Sequence, residues 1–476
     1  MKKETDLQNY QIAAFALNAS YDSIRKADIA QLKRHLLDAL GSFFFATTRV
    51  TLYKLVRQLR VLSDGGGDCV SPYGFQLAAD RAAQLYTALI RVPDFMDNYI
   101  GKEATCHPSD NIGGLLAAAQ LHPVSGREFL AAMAIAYQVQ CRLIEEIPVM
   151  QKGIDHTLLL GYSLTAALSR MLGLTEKQTA HALGITGSSI SPTVASRAAY
   201  TYEWKGFVSS FDAMNCINIV LLAREGLTGP IAIFEGPKGL DEVFNMKLDY
   251  DWSREDFSLL SKCILKRYNA EVHAQPTLEA VDDLRKQYDI NPATIERIDI
   301  RTFLTAFHII GSGAYGDRKE VYSKEQADHS LFYTVAALLL DKELYPAQFE
   351  PKRINRDDVQ QLLKKVYAGT GFNIHKPVEL AALLDPYTRA YPGKLKAKVT
   401  IHLQGGQVLV KEKEDYHGFY TRPFSWEDVE NKFRKLTNGI LSPGRQQEVI
   451  DVVRDLEHRE ASDLVELLHL EESVAG

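Results

Sequence analysis

The sequence predicts a mainly α protein: a large helical domain built from both ends of the chain, interrupted by a smaller α+β insertion with a small antiparallel sheet. Three observations carry this. Apolar residues recur at three- and four-residue spacing from about residue 8 to 265, strand-like alternation replaces that spacing after about residue 270, and helical spacing resumes beyond Trp426. The expected organisation is a helical domain over 1–266, an α+β lid over 267–412, and C-terminal helices over 413–476 that return to the first domain.

In chain order, the spacing predicts helices over Ile29–Ala46, Ala78–Val92, Gly126–Glu146, His156–Leu172, Glu176–Gly184 and Ala213–Gly226. The segment Ile112-Gly-Gly-Leu-Leu-Ala-Ala-Ala-Gln-Leu is apolar nearly all round and rich in small residues, which places it inside a helical bundle. Thr175 stands three residues before Gln178 and just after Gly173, a capping-box start following a glycine stop. Thr294–Phe303 and Leu395–Leu403 alternate like strands, and the second runs through Gly405-Gly406 into Val408–Lys411 as a hairpin. Val429–Leu436 and Arg445–Leu470 are helical again.

Over 476 residues, 46% hydrophobic and 24% charged, the composition is that of a globular protein with room for two or three domains. The net charge of -6 is spread along the chain and no basic stripe is interleaved with aromatics, which argues against a nucleic-acid partner. The longest apolar run, Leu331–Leu340, is about half a membrane span, and the N-terminal residues carry acids where a targeting peptide avoids them. A cytoplasmic protein with no membrane partner is expected. The five cysteines, Cys69, Cys106, Cys141, Cys216 and Cys263, are widely separated with no metal-ligand spacing and read as free thiols. Cys106 lies beside His107, but nothing else in the sequence asks for a cysteine nucleophile.

The densest chemistry lies between Asp94 and Asn111, where Asp94, Asp97, Glu103, Asp110 and His107 share a segment broken by Gly101 and Pro108, between two apolar helices that would hold it rigid. The plain alternative is a solvated connection. Four further segments combine ionisable and aromatic groups: Gly153-Ile-Asp-His156, Arg197 to Lys205, Lys266 to Gln275, and Asp328-His329 to Tyr333. His156 and His329 stand at the starts of apolar helices, where a cap or a hydrogen-bonded core histidine is the bland reading. Lys205 beside Trp204 equally fits a snorkelling surface lysine. Taken together, these groups are several cations, a few carboxylates and a tyrosine without a nucleophile–base motif, an inventory suited to binding a small polyanion and moving its protons.

The order of the segments resembles a family. The matching stretches are His35-Leu-Leu-Asp-Ala-Leu-Gly41, Asp94-x-x-Asp-Asn98 followed by His107-Pro-Ser-Asp-Asn, Gly153-Ile-Asp-His156, Trp204-Lys205, Thr228-Gly-Pro with Phe234-Glu-Gly, Lys266 with Ala270-Glu-x-His273-Ala-Gln, and Asp328-His-Ser with Tyr333. From about residue 10 to 460 the chain resembles the 2-methylcitrate dehydratase superfamily (MmgE/PrpD), which also includes cis-aconitate decarboxylase and iminodisuccinate epimerase. The resemblance implies an all-helical domain from both chain ends with an inserted α+β lid, a homodimer, an active site in the cleft between domains, and no metal or other cofactor. Carried over by motif, the catalytic groups would be Asp94, His107, His156, Lys205, Lys266 and Tyr333, with Asn98, His273 and Arg197 binding substrate.

Two departures bear on the substrate. Asn98 stands where the family usually has threonine, and the run before Lys205 reads Tyr-Thr-Tyr-Glu-Trp instead of a Gly-Glu-x-Ser-like sequence. The expected activity is dehydration of a 2-methylcitrate-like hydroxy tricarboxylate, a small polycarboxylate. Lysines and histidines would clamp the carboxylates, while Asp94 and His107 handle protons and Tyr333 positions the substrate or assists protonation. The same pocket would also serve a cis-aconitate-type decarboxylase or an iminodisuccinate-type epimerase. A non-catalytic binding or scaffold protein is the alternative from another class.

Overall fold

The computed structural model describes residues 3–63, 66–101, 104–197, 201–371 and 384–470. Lys102 and Glu103, in the acidic segment singled out above, and Ala198–Tyr200 before Lys205 lie outside the described residues. The chain divides into two compact units, one comprising Met1–Val194, Gly206–Cys263 and Ser425–Gly476, the other Ala195–Lys205 and Ile264–Phe424.

The first unit is helical. Lys26–Ala46, Ala79–Arg91, Ile112–Leu121, Gly126–Glu146, Thr157–Met171, Glu176–Ser189 and Val208–Arg224 follow the predicted periodicity to within a few residues at most ends. Ile112–Leu121 lies inside, as its composition required, and its small residues are there for proximity. A Cβ on Gly113 would come within 2.3 Å of the Thr87 nitrogen, and one on Gly114 within 2.8 Å of Leu164, so the helices on either side approach as closely as only glycine permits. The Thr175–Gln178 capping box forms as expected. The C-terminal stretch differs from expectation. Arg445–Leu470 is not one helix but Pro443–Arg454, a turn at Leu456–His458 and Ala461–Glu466.

The C-terminal helix Trp426–Thr437 packs on Lys26–Ala46. Its Lys432 is buried, 2.7 Å from the Asp38 carboxylate; it also donates to the Phe95 carbonyl at 2.7 Å and stands 3.8 Å from the centre of the Phe95 ring. One lysine thereby ties both ends of the unit to the turn that carries Asp94.

In the second unit the sheet runs in the order Val366–Gly369, Ile295–Thr302, Ala397–Leu403, Val408–Lys413. The hairpin forms where read, with Ile401 opposite Leu409 and both turn glycines at positive φ. Two pairings are antiparallel, but the edge strand Val366–Gly369 adds a parallel one. The reason is connectivity: the chain passes through several helices before returning, and such a crossover brings it back in the same direction. Gln275–Tyr288 and Leu331–Asp341 pack against the sheet and each other. Among the described residues, no helix is long and apolar enough to cross a membrane.

Candidate active site

In the first unit, helix Ala79–Arg91 stops at Pro93 and the chain turns back, the Asp94 amide donating to the Arg91 carbonyl. Asp94 takes a left-handed conformation at φ 55, uncommon for a residue other than glycine, though aspartate tolerates it better than most. The Arg91 guanidinium, 1% exposed, lies 3.1 Å from the Asp94 carboxylate and 3.7 Å from that of Asp110. Asp155 adds a third negative charge nearby; together these acids hold the guanidinium protonated against its burial.

Asp97 organises the rest of the segment. One carboxylate oxygen is 2.8 Å from His35 Nδ1 and the other accepts the Ser109 amide at 3.0 Å. Burial, reinforced by the Asp97 charge, pushes the neighbouring Tyr137 hydroxyl up. The short antiparallel pair Tyr99–Ile100 with Thr105–Cys106 returns the chain so that His107 Nδ1 is 3.0 Å from the Asp97 carbonyl. A carbonyl only accepts, so the contact places a proton on Nδ1. The His107 ring meets His156 edge-on, 5.4 Å between centroids. His156 starts helix Thr157–Met171 with Nε2 3.8 Å from Asp155, whose carboxylate also accepts the Thr157 amide. Asp94, His107 and His156 are therefore all buried and held in one locally braced group. Asn98 is buried nearby in sequence, but its amide turns to the Met96 carbonyl at 3.4 Å.

In the second unit, Lys205 is buried, on a short turn over Glu203–Gly206. Its Nζ is 2.8 Å from His329 Nε2, and His329 Nδ1 is 2.5 Å from Asp328, whose other oxygen is 2.8 Å from Lys324. Burial alone would raise the Asp328 carboxyl, but the charges on Lys324 and Lys205 and the hydrogen bond from His329 outweigh it and hold it well below the usual carboxylate range. Ionised Asp328 accepts from Nδ1–H, which leaves Nε2 to accept from the Lys205 ammonium. Lys205 is thus a partner of a buried imidazole, not a snorkelling surface lysine.

Lys266, 1% exposed, and Glu271 belong to the same unit. Burial pushes Glu271 up, but His273, His329 and Lys266 more than compensate and keep it below the ordinary glutamate value. The Glu271 amide donates to the Asp328 carbonyl at 2.9 Å, joining the Lys266–His273 segment to the Asp328–His329 turn. His273 bonds Glu271 and Tyr391. Arg197 is half-buried beside residues outside the described set.

Tyr333 stands apart from this arrangement. Its hydroxyl donates to the Gln348 carbonyl, its ring packs on Phe349, burial raises it, and the charges that act on it are Arg353, Asp341 and Asp358. Arg91 and Tyr391 lie outside the segments that stand out in the sequence, while Asp97, Glu271 and His329 lie within them without an assigned role. For His329 the signal was present, in the Asp328-His329 pair quoted beside Tyr333. All five cysteines are buried and unbridged, with Cys141 and Cys263 sulfurs 3.8 Å apart, and full burial removes Cys106 as a nucleophile.

The MmgE/PrpD N-terminal domain matches residues 10–253 and the MmgE/PrpD C-terminal domain residues 268–458. The chain belongs to the MmgE/PrpD family. Its relatives include 2-methylcitrate dehydratase of Salmonella typhi, 28% identical over 86% of each chain. Cis-aconitate decarboxylase of Mus musculus is 26% identical over 91% of this chain and 87% of its own. The corresponding decarboxylase of Homo sapiens is 25% identical over 91% and 88%. This MmgE/PrpD chain is thus similar to a dehydratase and to a decarboxylase by nearly the same margin.

Proposed function

We propose that the chain is a lyase that dehydrates a 2-methylcitrate-like hydroxy tricarboxylate. The observation that carries this is the Lys205–His329–Asp328 chain, a buried cation bonded to a neutral imidazole, with Lys266 in the same unit. Removing water from a β-hydroxy acid requires a base for a carbon-bound proton, an acid for the departing hydroxyl, and cations that stabilise charge on the adjacent carboxylate. Lys205 and Lys266 supply the cations. Asp94, His107 and His156 supply groups that take and give protons. Asn98 and Arg197 are assigned to substrate binding, and His273 contributes through its ring partners Glu271 and Tyr391. Tyr333 is assigned to positioning, which it performs through packing, since its hydroxyl is committed to Gln348. Since side chains fill every role, activity should survive chelation. The same reading includes a homodimer in the cytoplasm, checked by light scattering and fractionation.

Decarboxylation of a cis-aconitate-like acid is the second reading, favoured by the near-equal similarity of the decarboxylase relatives. The deciding experiment is a proton NMR time course of the chelator-treated protein in D₂O with 2-methylcitrate, citrate, cis-aconitate and iminodisuccinate in separate tubes. An alkene signal from either hydroxy acid supports the dehydratase. Itaconate from cis-aconitate replaces it with the decarboxylase, and deuterium uptake on an unchanged skeleton with an epimerase. Silence in every tube removes the proposal in favour of a different substrate or a binding protein.

A further inference from the structure

His273 is 1% exposed, and both of its ring nitrogens are engaged. Nδ1 lies 2.7 Å from Glu271 Oε1, and Nε2 lies 3.2 Å from the Tyr391 hydroxyl. A buried side chain placed this way reaches a ligand only through its partners. Glu271 is a rigid partner. Its second carboxylate oxygen accepts the His273 backbone amide at 2.9 Å, so the same group that binds the ring also caps the turn Val272–Ala274. An ionised carboxylate only accepts, which puts a proton on Nδ1 and leaves Nε2 to exchange with Tyr391.

Tyr391 is half-buried, in contrast to His273. Its ring stacks on buried Phe303 at 4.9 Å and 19°, and His273 meets the same Phe303 at 5.5 Å, so one aromatic wall sets both rings. The short helix Pro386–Ala390 that delivers Tyr391 is capped by Asp385 and pinned to the end of strand Ile295–Thr302, the Thr388 hydroxyl accepting the Leu304 amide. The three groups therefore form an ordered chain, carboxylate to imidazole to phenol, with half-buried Tyr391 at its more exposed end. Besides His273, the titratable and charged groups acting on Glu271 in this unit are His329, Lys266 and Arg318, and its backbone bond to Asp328 places the chain beside the Lys205 cluster.

We propose that Glu271, His273 and Tyr391 are a proton relay in which Tyr391 is the group that meets the substrate and His273 acts through it, with Glu271 as the positioning residue. This rests on the dehydratase reading above. With His273 neutral, the Tyr391 hydroxyl donates to Nε2. With His273 protonated, Nε2–H donates to the phenol oxygen, and the phenol's own proton turns outward. In the dehydration, that outward proton passes to the substrate hydroxyl as the C–O bond breaks with its electron pair on oxygen, releasing water. The Nε2 proton, taken up from solvent before the step, moves to the phenol oxygen as the phenol proton leaves, restoring the phenol and the neutral imidazole. The pair left by the abstracted carbon-bound proton forms the alkene, so no oxidant or reductant is needed.

The test pairs nitrogen-15 NMR of histidine-labelled full-length protein with kinetics, the His273 signals being assigned by their loss in H273Q. In the resting wild type, His273 should carry its proton on Nδ1, and Y391F should move the Nε2 resonance while leaving Nδ1 in place. Y391F keeps the stacked ring and should lower kcat about a hundredfold with KM nearly unchanged. Y391F with H273Q should be no slower than the slower single variant, as expected for groups that act as a unit. A proton on Nε2 in the neutral wild type, an Nε2 signal indifferent to Y391F, unchanged kcat in Y391F, or multiplicative losses would each overturn the relay. If H273Q does not fold, assignment by E271Q-induced shifts and the Y391F kinetics still decide it. Absence of turnover by the wild type refutes the dehydratase reading, while the NMR arms continue to decide whether the chain exists.

Discussion

His329 Nε2 stands 2.8 Å from Lys205 Nζ, so a lysine on a surface-like Glu-Trp-Lys turn is bonded to a histidine 124 residues away. With Asp328 bonded to the opposite ring nitrogen, the imidazole is locked in one tautomer and the lysine is committed as its donor.

Replacing that lysine should be decisive for activity. In K205M, turnover of the active tricarboxylate should fall by at least about a hundredfold, because a preorganised cation in a water-poor site is worth several kcal/mol to developing charge. Circular dichroism should stay native, since Asp328 keeps Lys324 and His329 as partners. Near-normal kcat would remove Lys205 from the proposal.

His107→Ala should cut turnover by roughly a hundredfold or more with folding intact, the usual worth of a general acid or base. His107→Gln separates bonding from titration, because the amide can still donate to the Asp97 carbonyl but cannot move a proton. Equal losses in the two variants are expected; full activity in the glutamine variant would show that the contact, and not the titration, matters.

Asp328 sets a pH dependence whose sign follows from its depressed folded value. The unfolded carboxyl titrates near ~3.9, so between that value and the lower folded one the unfolded chain binds more protons, and stability rises with pH there. The stability Asp328 contributes is complete above about pH 5 and is lost as pH falls through the folded value. In urea titrations, the deficit of D328N relative to wild type should be constant near neutrality and shrink below about pH 4. A deficit that grows with acid would contradict the assignment.

Arg91→Met should unfold most readily of these variants. It leaves Asp94 and Asp110 buried without their cation, and breaking a buried pair from one side costs roughly 3–5 kcal/mol. The shift should appear in the urea midpoint at unchanged slope. A loss under about 1 kcal/mol would mean that the two acids are neutral in the folded state.

The helices were legible because their information is local. Gly126–Glu146 and Ile112–Leu121 match expectation at both ends, since a 3.6-residue apolar period behind the Ser125 cap in the first, and an unbroken run of small and apolar residues in the second, are written in consecutive residues. The edge strand Val366–Gly369 was not read. At four residues it has too little alternation to stand out, and its parallel pairing depends on a strand far upstream. Arg445–Leu470 keeps an apolar period across breaks at Asp455 and Glu460, so periodicity alone joined what turns separate.

The sequence by itself determined the helical and α+β character of the two regions, the ordered motifs that mark the family, and an inventory of histidines, lysines and carboxylates without a nucleophile. Only the tertiary structure decided which of these groups meet: His35 with Asp97 across 62 residues, His273 with Tyr391 across 118, and Tyr333 with a backbone carbonyl instead of the Lys205 cluster. The physical reason is that protonation state and hydrogen-bond geometry depend on distance and burial. Both are set by packing between remote segments, and neither leaves a periodic trace in the residues that bear them.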